Sequence, residues 1–401
     1  PSTLLSISGN PAAGELLLSK GEKYRMGYFS SIGAGYEIGK VDNFIDDVDE
    51  LSDALDDDDL KVDEALKIKK KFDALLPTMG ADARVTADLG IHAPLAPFAM
   101  RSDWFKGVLF FDFRASLLSD IQFLDAPLDI DISGGETNLT TASSLYVKGG
   151  GLVTASIGYS REVWQQDVFG VNSKFYAGLQ ANIYHAILSK QVIALENLDG
   201  DDAGDAAVDE FEDNQETTTN VGVDLGLIWA MPWGGVGITF ANINEPEFDY
   251  GEIGKNCSEI SNLTRRANCF VAQDNFSDEI DLSETAVLNA QTTIEGAVHT
   301  KDKMFLLSTA MDLNSTYDLV GRESQDLTVS GSIFPNNYYI PALRVGINKN
   351  LKGSELTMLN VGFTFFGVMN LDVSWSTDSV DIDGDSGPRQ AGFSIGFEEK
   401  F

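Results

Sequence analysis

The feature that most constrains this chain is a set of segments in which apolar and polar side chains alternate residue by residue, with charges of both signs at the polar positions. Leu371, Val373 and Trp375 alternate with Asn370, Asp372, Ser374 and Ser376; Leu359, Val361, Phe363 and Phe365 with Asn360, Gly362 and Thr364; Leu343, Val345 and Ile347 with Arg344, Gly346 and Asn348. Upstream, Val221, Val223, Leu225, Leu227 and Trp229 alternate with Asn220, Asp224 and Gly226. Strand side chains point to opposite faces at every second position, so each segment has one apolar and one wet face. Weaker alternation marks Met26 to Ile38, Val85 to Ala93, Phe105 to Ala115, Val153 to Tyr159, Phe175 to His185, Leu288 to Val298, Phe305 to Leu313 and Leu327 to Ile333.

Soluble sandwiches also alternate, and the polar face decides between the two. Here it carries Arg84, Asp88, Asp112, Arg114, Asp224, Glu295, Arg344 and Asp372 among glycine, serine and asparagine. Across an enclosed lumen such mixed charges pair and stay hydrated, so these eight are expected to line one, leaving the apolar face to lipid. The fold class expected is all-β, a transmembrane antiparallel β-barrel with an N-terminal plug segment and a helical insertion. The final residues agree: Phe393, Ile395, Phe397 and Phe401 share a face broken by Glu399, and this ending resembles the last strand and assembly signal of a bacterial outer-membrane barrel. A mean hydropathy of -0.08 fits apolar residues at alternate positions. The best transmembrane-helix candidate, Gly226 to Ile243, contains Pro232, four glycines and Asn242, and fails. It divides better into two strands around Pro232-Trp233-Gly234-Gly235.

The strand count is 14 or 15. If Leu139 to Arg161 is one strand kinked at Gly149-Gly150-Gly151, it is 14, an even number, and both termini share the periplasmic side. The turns Pro232 to Gly235, His299 to Asp302, Pro335 to Tyr338 and Phe366 to Val368 then fall on that side, with the acidic loop around Asp199, the cysteine loop and Asp378 to Gly387 opposite. Residues 1–22 are assigned to a plug or hatch and 23–401 to the barrel, with a helical insertion at 42–79. The insertion carries two stripes: Val41, Phe44, Ile45, Val48, Leu51 and Leu55, then Leu60, Val62, Leu66, Ile68, Phe72, Leu75 and Leu76. A surface hairpin and an inward plug both fit it.

The net charge of -34 argues against nucleic-acid binding. The chain starts at Pro1 with no apolar leader, and a leader is expected to have been removed. Cys257 and Cys269 share one polar segment and are expected to form a disulfide in an oxidising compartment. His92, His185 and His299 have no nucleophile motif beside them, and Gly392-Phe393-Ser394-Ile395-Gly396 lies inside a strand, where a nucleophile elbow cannot form. No enzyme and no cofactor are expected. Asp199, Asp201 and Glu210, and separately Asp381, Asp383 and Asp385, imitate calcium spacings; each reads first as a solvated turn, with surface calcium as the alternative.

Ser8-Gly9-Asn10-Pro11-Ala12-Ala13, followed by strands and a helical insert, resembles the start of FadL-type fatty acid transporters and their TraF-like outer-membrane relatives. Phe240-Ala-Asn242-Ile-Asn244-Glu-Pro246-Glu-Phe248 resembles a strand-end motif of the TraF-like branch. The resemblance implies that Asn10, Pro11 and Ala12 belong to a gating plug. It implies a monomer in the bacterial outer membrane, in contact with lipid and lipopolysaccharide, acting as a passive channel for small hydrophobic molecules. The alternative is a structural or docking part of an envelope assembly, such as a conjugation or surface appendage apparatus, with a protein partner.

Overall fold

The computed structural model describes residues 5–18, 21–57, 60–133, 136–168, 170–197, 211–212, 214–335, 337 and 339–399. Its alternating segments pair antiparallel into a closed wall of 14 strand positions. In chain order these are β1 (Tyr24–Ile38), β2 (Arg84–His92, resumed at Phe98–Ser102), β3 (Gly107–Leu124), β4 (Ser144–Val168) and β5 (Val171–Ala194). They continue as β6 (Glu216–Met231), β7 (Gly234–Ala241), β8 (Gln291–His299), β9 (Phe305–Asp312) and β10 (Asp326–Ile333). The last four are β11 (Ala342–Asn350), β12 (Thr357–Phe365), β13 (Met369–Ser376) and β14 (Gln390–Glu399), and β14 pairs with β1 to close the ring.

Fifteen segments make 14 positions because both halves of β2 pair with the same neighbours, β1 and β3. The sequence segment Val85 to Ala93 contains only the first half. Pro94 and Pro97 remove two ladder donors between the halves, and Leu95, at φ 68, turns the chain there. Directly paired residues share a face, so the register carries one surface around the wall. Gly178 faces Gly226, then Thr239, Thr293 and Asp312, all inward. On the other face Leu117, Leu179, Leu227, Leu307, Val345 and Phe393 are exposed. A belt of exposed apolar side chains around a polar interior is what lipid requires. At the short-turn end Trp164, Phe175 and Trp229 pack side by side on this outer surface, as aromatic residues do at membrane boundaries.

The wall is uneven in height. β4 has 25 residues and β5 has 24, whereas β8 to β14 have 8 to 10 each. A tilted strand crosses a bilayer in about 9 to 11 residues. The excess on the tall side is covered by protein. There α1 (Phe44–Leu55) and α2 (Val62–Asp82) pack with the hairpin Leu128–Ser133 and Glu136–Thr141 over Phe123, Leu145 and Ile193. The insertion is therefore a cap at the long-loop end and not an inward plug. Its phase differs from the sequence stripes: Ala65 and Met79 are buried, whereas Ile45, Val62 and Leu66 are exposed. Residues 139–161 also differ. Leu139 belongs to the hairpin, and β4 runs unkinked through Gly149 to Gly151 because these glycines stay in register with both neighbours. Among the described residues no helix is long and apolar enough to cross a membrane.

Candidate functional site

The amino-terminal segment lies inside the barrel, held by its own motif. Asn10 is extended, and its side-chain oxygen accepts the N–H of Ala12 at 3.0 Å, capping the single turn Pro11–Ala13. Proline fits the first position of such a turn because no donor is needed there. The Asn10 amide donates to Glu295 Oε1 at 2.7 Å, and Ser8 Oγ donates to Asp112 Oδ2 at 3.0 Å. The turn rests on Gly178 and Gly226, which face each other across β5 and β6. A Cβ at Gly178 would stand 2.2 Å from the Pro11 carbonyl carbon, and one at Gly226 2.2 Å from Asn10 Oδ1. Further along, Leu17 and Leu18 bury against Ala99, Val108 and Phe110, and Glu15 pairs with Arg101 at 2.5 Å.

The opposite end is crossed by the connection between β9 and β10, residues 313–325. Asp318 ties its tip by accepting the N–H groups of Val320 (3.0 Å) and Arg322 (2.8 Å) and the Arg322 Nε at 2.6 Å. Leu319 and Val320 are buried, Leu319 against Tyr184, Leu188, Phe248 and Tyr250. Arg322 reaches across to β2, with Nη1 3.5 Å from Asp88 Oδ1. This strap was not foreseen from sequence.

The strap is braced by the segment between β7 and β8. Glu284 takes Lys148 at 2.5 Å and Lys190 at 3.8 Å, both lysines being buried on the tall wall, and Tyr250 donates its hydroxyl to the Leu319 carbonyl at 2.5 Å. Burial, reinforced by the Glu284 charge, pushes the Tyr250 hydroxyl well above the ordinary phenol range. Cys257 and Cys269 form a disulfide here, anchoring α3 (Leu263–Asn275).

Between plug and strap lies a chamber of about 660 Å³ bordered by Gly33, Gly35, Asp88, Gly90, His92, Arg114, Ser116, Leu152, Met358, Asp372 and Gly392. A second cavity of about 650 Å³ lies on the short-turn side of the plug, against Leu16, Leu17, Ile228, Met231, Leu306 and Ala310, with Glu295 at its wall. The inward face of β9 to β14 carries many small groups such as Ser308, Ser330, Gly346, Gly362 and Ser374, and the plug sits off-centre against β3 to β8.

Each sequence-derived lumen candidate has a definite place. Arg84 pairs with Asp120; Asp88 meets Arg322; Arg344 pairs with Asp372 at 2.8 Å. Asp224 accepts Asn182 Nδ2 at 2.6 Å and the Asn242 N–H at 2.7 Å, and Glu295 holds the plug. Asp112 stands between Ser8 and His92, whose Nε2 is 3.5 Å from Asp112 Oδ2. His92 Nε2 and Asp112 Oδ1 are enclosed without a hydrogen-bond partner, so seating the plug leaves polar groups desolvated. Arg114 borders the chamber beside them. Phe393, Ile395 and Phe397 lie on the outer face of β14. Phe401 lies outside the described residues, as do Asp199, Asp201 and Glu210. Asp381, Asp383 and Asp385 lie along the hairpin Ser379–Ile382 and Asp385–Pro388, and among the described residues no three acid, histidine or cysteine side chains gather as a metal site.

A closed barrel with an apolar exterior, a polar interior, an inner plug and an inward strap defines a plugged transmembrane β-barrel. The chain belongs to the family described as the F plasmid transfer operon TraF protein, whose model matches residues 7–312, in keeping with the TraF-like resemblance of the Asn10 and Asn242 segments. No curated protein matches. Among solved structures, a TodX mutant described as a monoaromatic hydrocarbon channel is 10% identical, with 99% of this chain and 94% of that one covered and a TM-score of 0.43. The toluene transporter TbuX of Ralstonia pickettii is 10% identical, with 99% and 93% covered and a TM-score of 0.42. A mutant of the Rhodopseudomonas blastica porin is 10% identical, with 92% and 100% covered and a TM-score of 0.26.

Proposed function

We propose that this barrel is a passive channel of a bacterial outer membrane, admitting small molecules with an apolar body and closed at rest by its own amino-terminal segment. In this reading the short turns and both termini face the periplasm, and the cap and disulfide segment face outward. The observation that carries the reading is the off-centre plug. It rests on the side of β3 to β8 through a few hydrogen bonds on a glycine seat, and cavities of about 660 and 650 Å³ remain on either side of it. The more apolar cavity, beside Leu16, Leu17 and Ile228, favours an apolar solute.

The test is solute-driven swelling of liposomes carrying the full chain, compared with the chain lacking residues 1–22. Faster entry of toluene-sized solutes after removal of the plug supports a gated channel. A truncated barrel that folds and remains impermeable rules it out. One observation favours the docking alternative: Ile45, Val62 and Leu66 are exposed on the cap among acidic residues. A stoichiometric envelope protein retained by the cap, with an impermeable truncated barrel, would support that reading instead.

A further inference from the structure

The charges of the chamber are unequally matched. Every other arginine or lysine on an inward strand face among the described residues has a partner: Arg25 with Glu398, Arg84 with Asp120, Arg101 with Glu15, Lys148 and Lys190 with Glu284, Lys174 with Glu162, and Arg344 with Asp372. Arg114, half-buried, borders the chamber; its charge acts on Asp112, two positions along the same strand face, but among the described residues it makes no hydrogen bond or ion pair. Of the carboxylates around it, Asp88 is taken by Arg322 and Asp372 by Arg344, while Asp112 accepts Ser8 at Oδ2 and keeps Oδ1 without a hydrogen bond. The space beside it is open, since Gly90, on the next strand and opposite Ser116, would carry a Cβ that meets nothing within 4 Å.

We infer that Arg114 is the anchor of a subsite for the carboxylate of a small organic monoanion, with Leu152 and Met358 receiving its apolar body and Ser116 beside the headgroup. A guanidinium presents paired donors that match both oxygens of one carboxylate, and such bonds are about twice as strong as neutral ones. Asp88 and Asp372 at the chamber wall, with Asp112 on the same strand as Arg114, disfavour a dianion, so a phosphate is a poorer fit than a monocarboxylate. The subsite rests on the channel reading for its role in passage, but its chemistry is testable apart from it.

Benzoate and its neutral counterpart benzamide are suitable probes. Equilibrium dialysis of the full chain in detergent is expected to show preference for benzoate. Arg114→Gln should weaken benzoate binding about tenfold and leave benzamide within twofold, with Arg114→Lys in between, because it keeps the charge and loses the fork. Heat-modifiable migration on gels establishes that each variant is folded, and Arg114→Lys carries the test where Arg114→Gln does not fold. Equal binding of the two probes by the wild type, or benzoate binding unchanged in the folded variants, overturns the subsite. Uptake into liposomes is read separately: Arg114-dependent binding without uptake of either probe sinks the channel reading and leaves the subsite standing.

Discussion

Replacing Gly178 with alanine is the sharpest perturbation the plug allows. The added Cβ would stand 2.2 Å from the Pro11 carbonyl carbon and 2.3 Å from the Ala12 nitrogen, where ordinary contact begins at 3.4 Å, a shortfall of 3.4 minus 2.2, or 1.2 Å. Both are backbone atoms, so no side chain can swing clear, and the turn itself must move. A displacement of that size is comparable to the margin that separates the 2.7 Å bond to Glu295 and the 3.0 Å bond to Asp112 from broken ones. Loss of one hydrogen bond to a charged group costs about 1.5 to 3 kcal/mol. The unseated state should therefore gain roughly ten- to a hundredfold in population. The strand itself is not harmed, since alanine is no worse than glycine within it. Single-channel recording in planar bilayers reads the open probability directly. Gly90→Ala is the matched control, because the same added methyl meets open space and should change nothing. A folded Gly178→Ala barrel with an open probability within twofold of the control would refute the account of how the plug is held.

Asp88→Asn should loosen the strap, but the ion pair with Arg322 is partly solvent-exposed and worth under about 1 kcal/mol, so gating events should rise less than about fivefold. Arg322→Gln combined with it should add little to that one interaction in a double-mutant cycle. Phe72→Ala removes a wholly buried ring from the cap and should destabilise it by about 3 to 5 kcal/mol; limited proteolysis should then cleave α1 and α2 while the barrel keeps its heat-modifiable migration. Tyr250 has a folded-state pKa raised by burial and by Glu284, so its contribution is complete below its unfolded value of about 10 and is lost as pH rises towards the folded one. Hydrogen-exchange protection in residues 250–287, measured against the intrinsic base-catalysed rate, should fall in that alkaline window, and Tyr250→Phe should remove the fall; an unchanged pH dependence of protection in the variant would contradict the assignment.

The strands were legible because the same two-residue period recurs throughout the wall, and because lipid outside and water inside leave no other use for it. Leu359 to Phe365 and Leu371 to Trp375 pair in the structure with their apolar members on one face. The second half of β2 was not legible, since Pro94 and Pro97 interrupt the pattern and Phe98–Ser102 is too short to show one. The helix stripes were off by about one residue where Leu66 competes with Ala65. Small Ala65 allows the close approach of the cap hairpin, a preference that hydrophobicity alone does not reveal. The strap was hidden for another reason. Asp318-Leu319-Val320-Gly321-Arg322 is an ordinary turn by composition, and what holds it inward is remote in sequence: Leu319 buries against Tyr184, Leu188, Phe248 and Tyr250, and Arg322 reaches Asp88 on β2. Gly178 and Gly226 look like any inward glycines until the plug that rests on them is in place.

The unequal height of the wall gives the molecule a compass bearing. A barrel of even strands presents the same rim in every direction, and whatever approaches it meets the mouth from above. Here β4 and β5 stand like the back of a hood beneath the cap, while β8 to β14 end low. The cap therefore overhangs one sector of the rim, so the way the protein is rotated within the plane of a membrane would set which neighbours meet the cap and which meet the short wall.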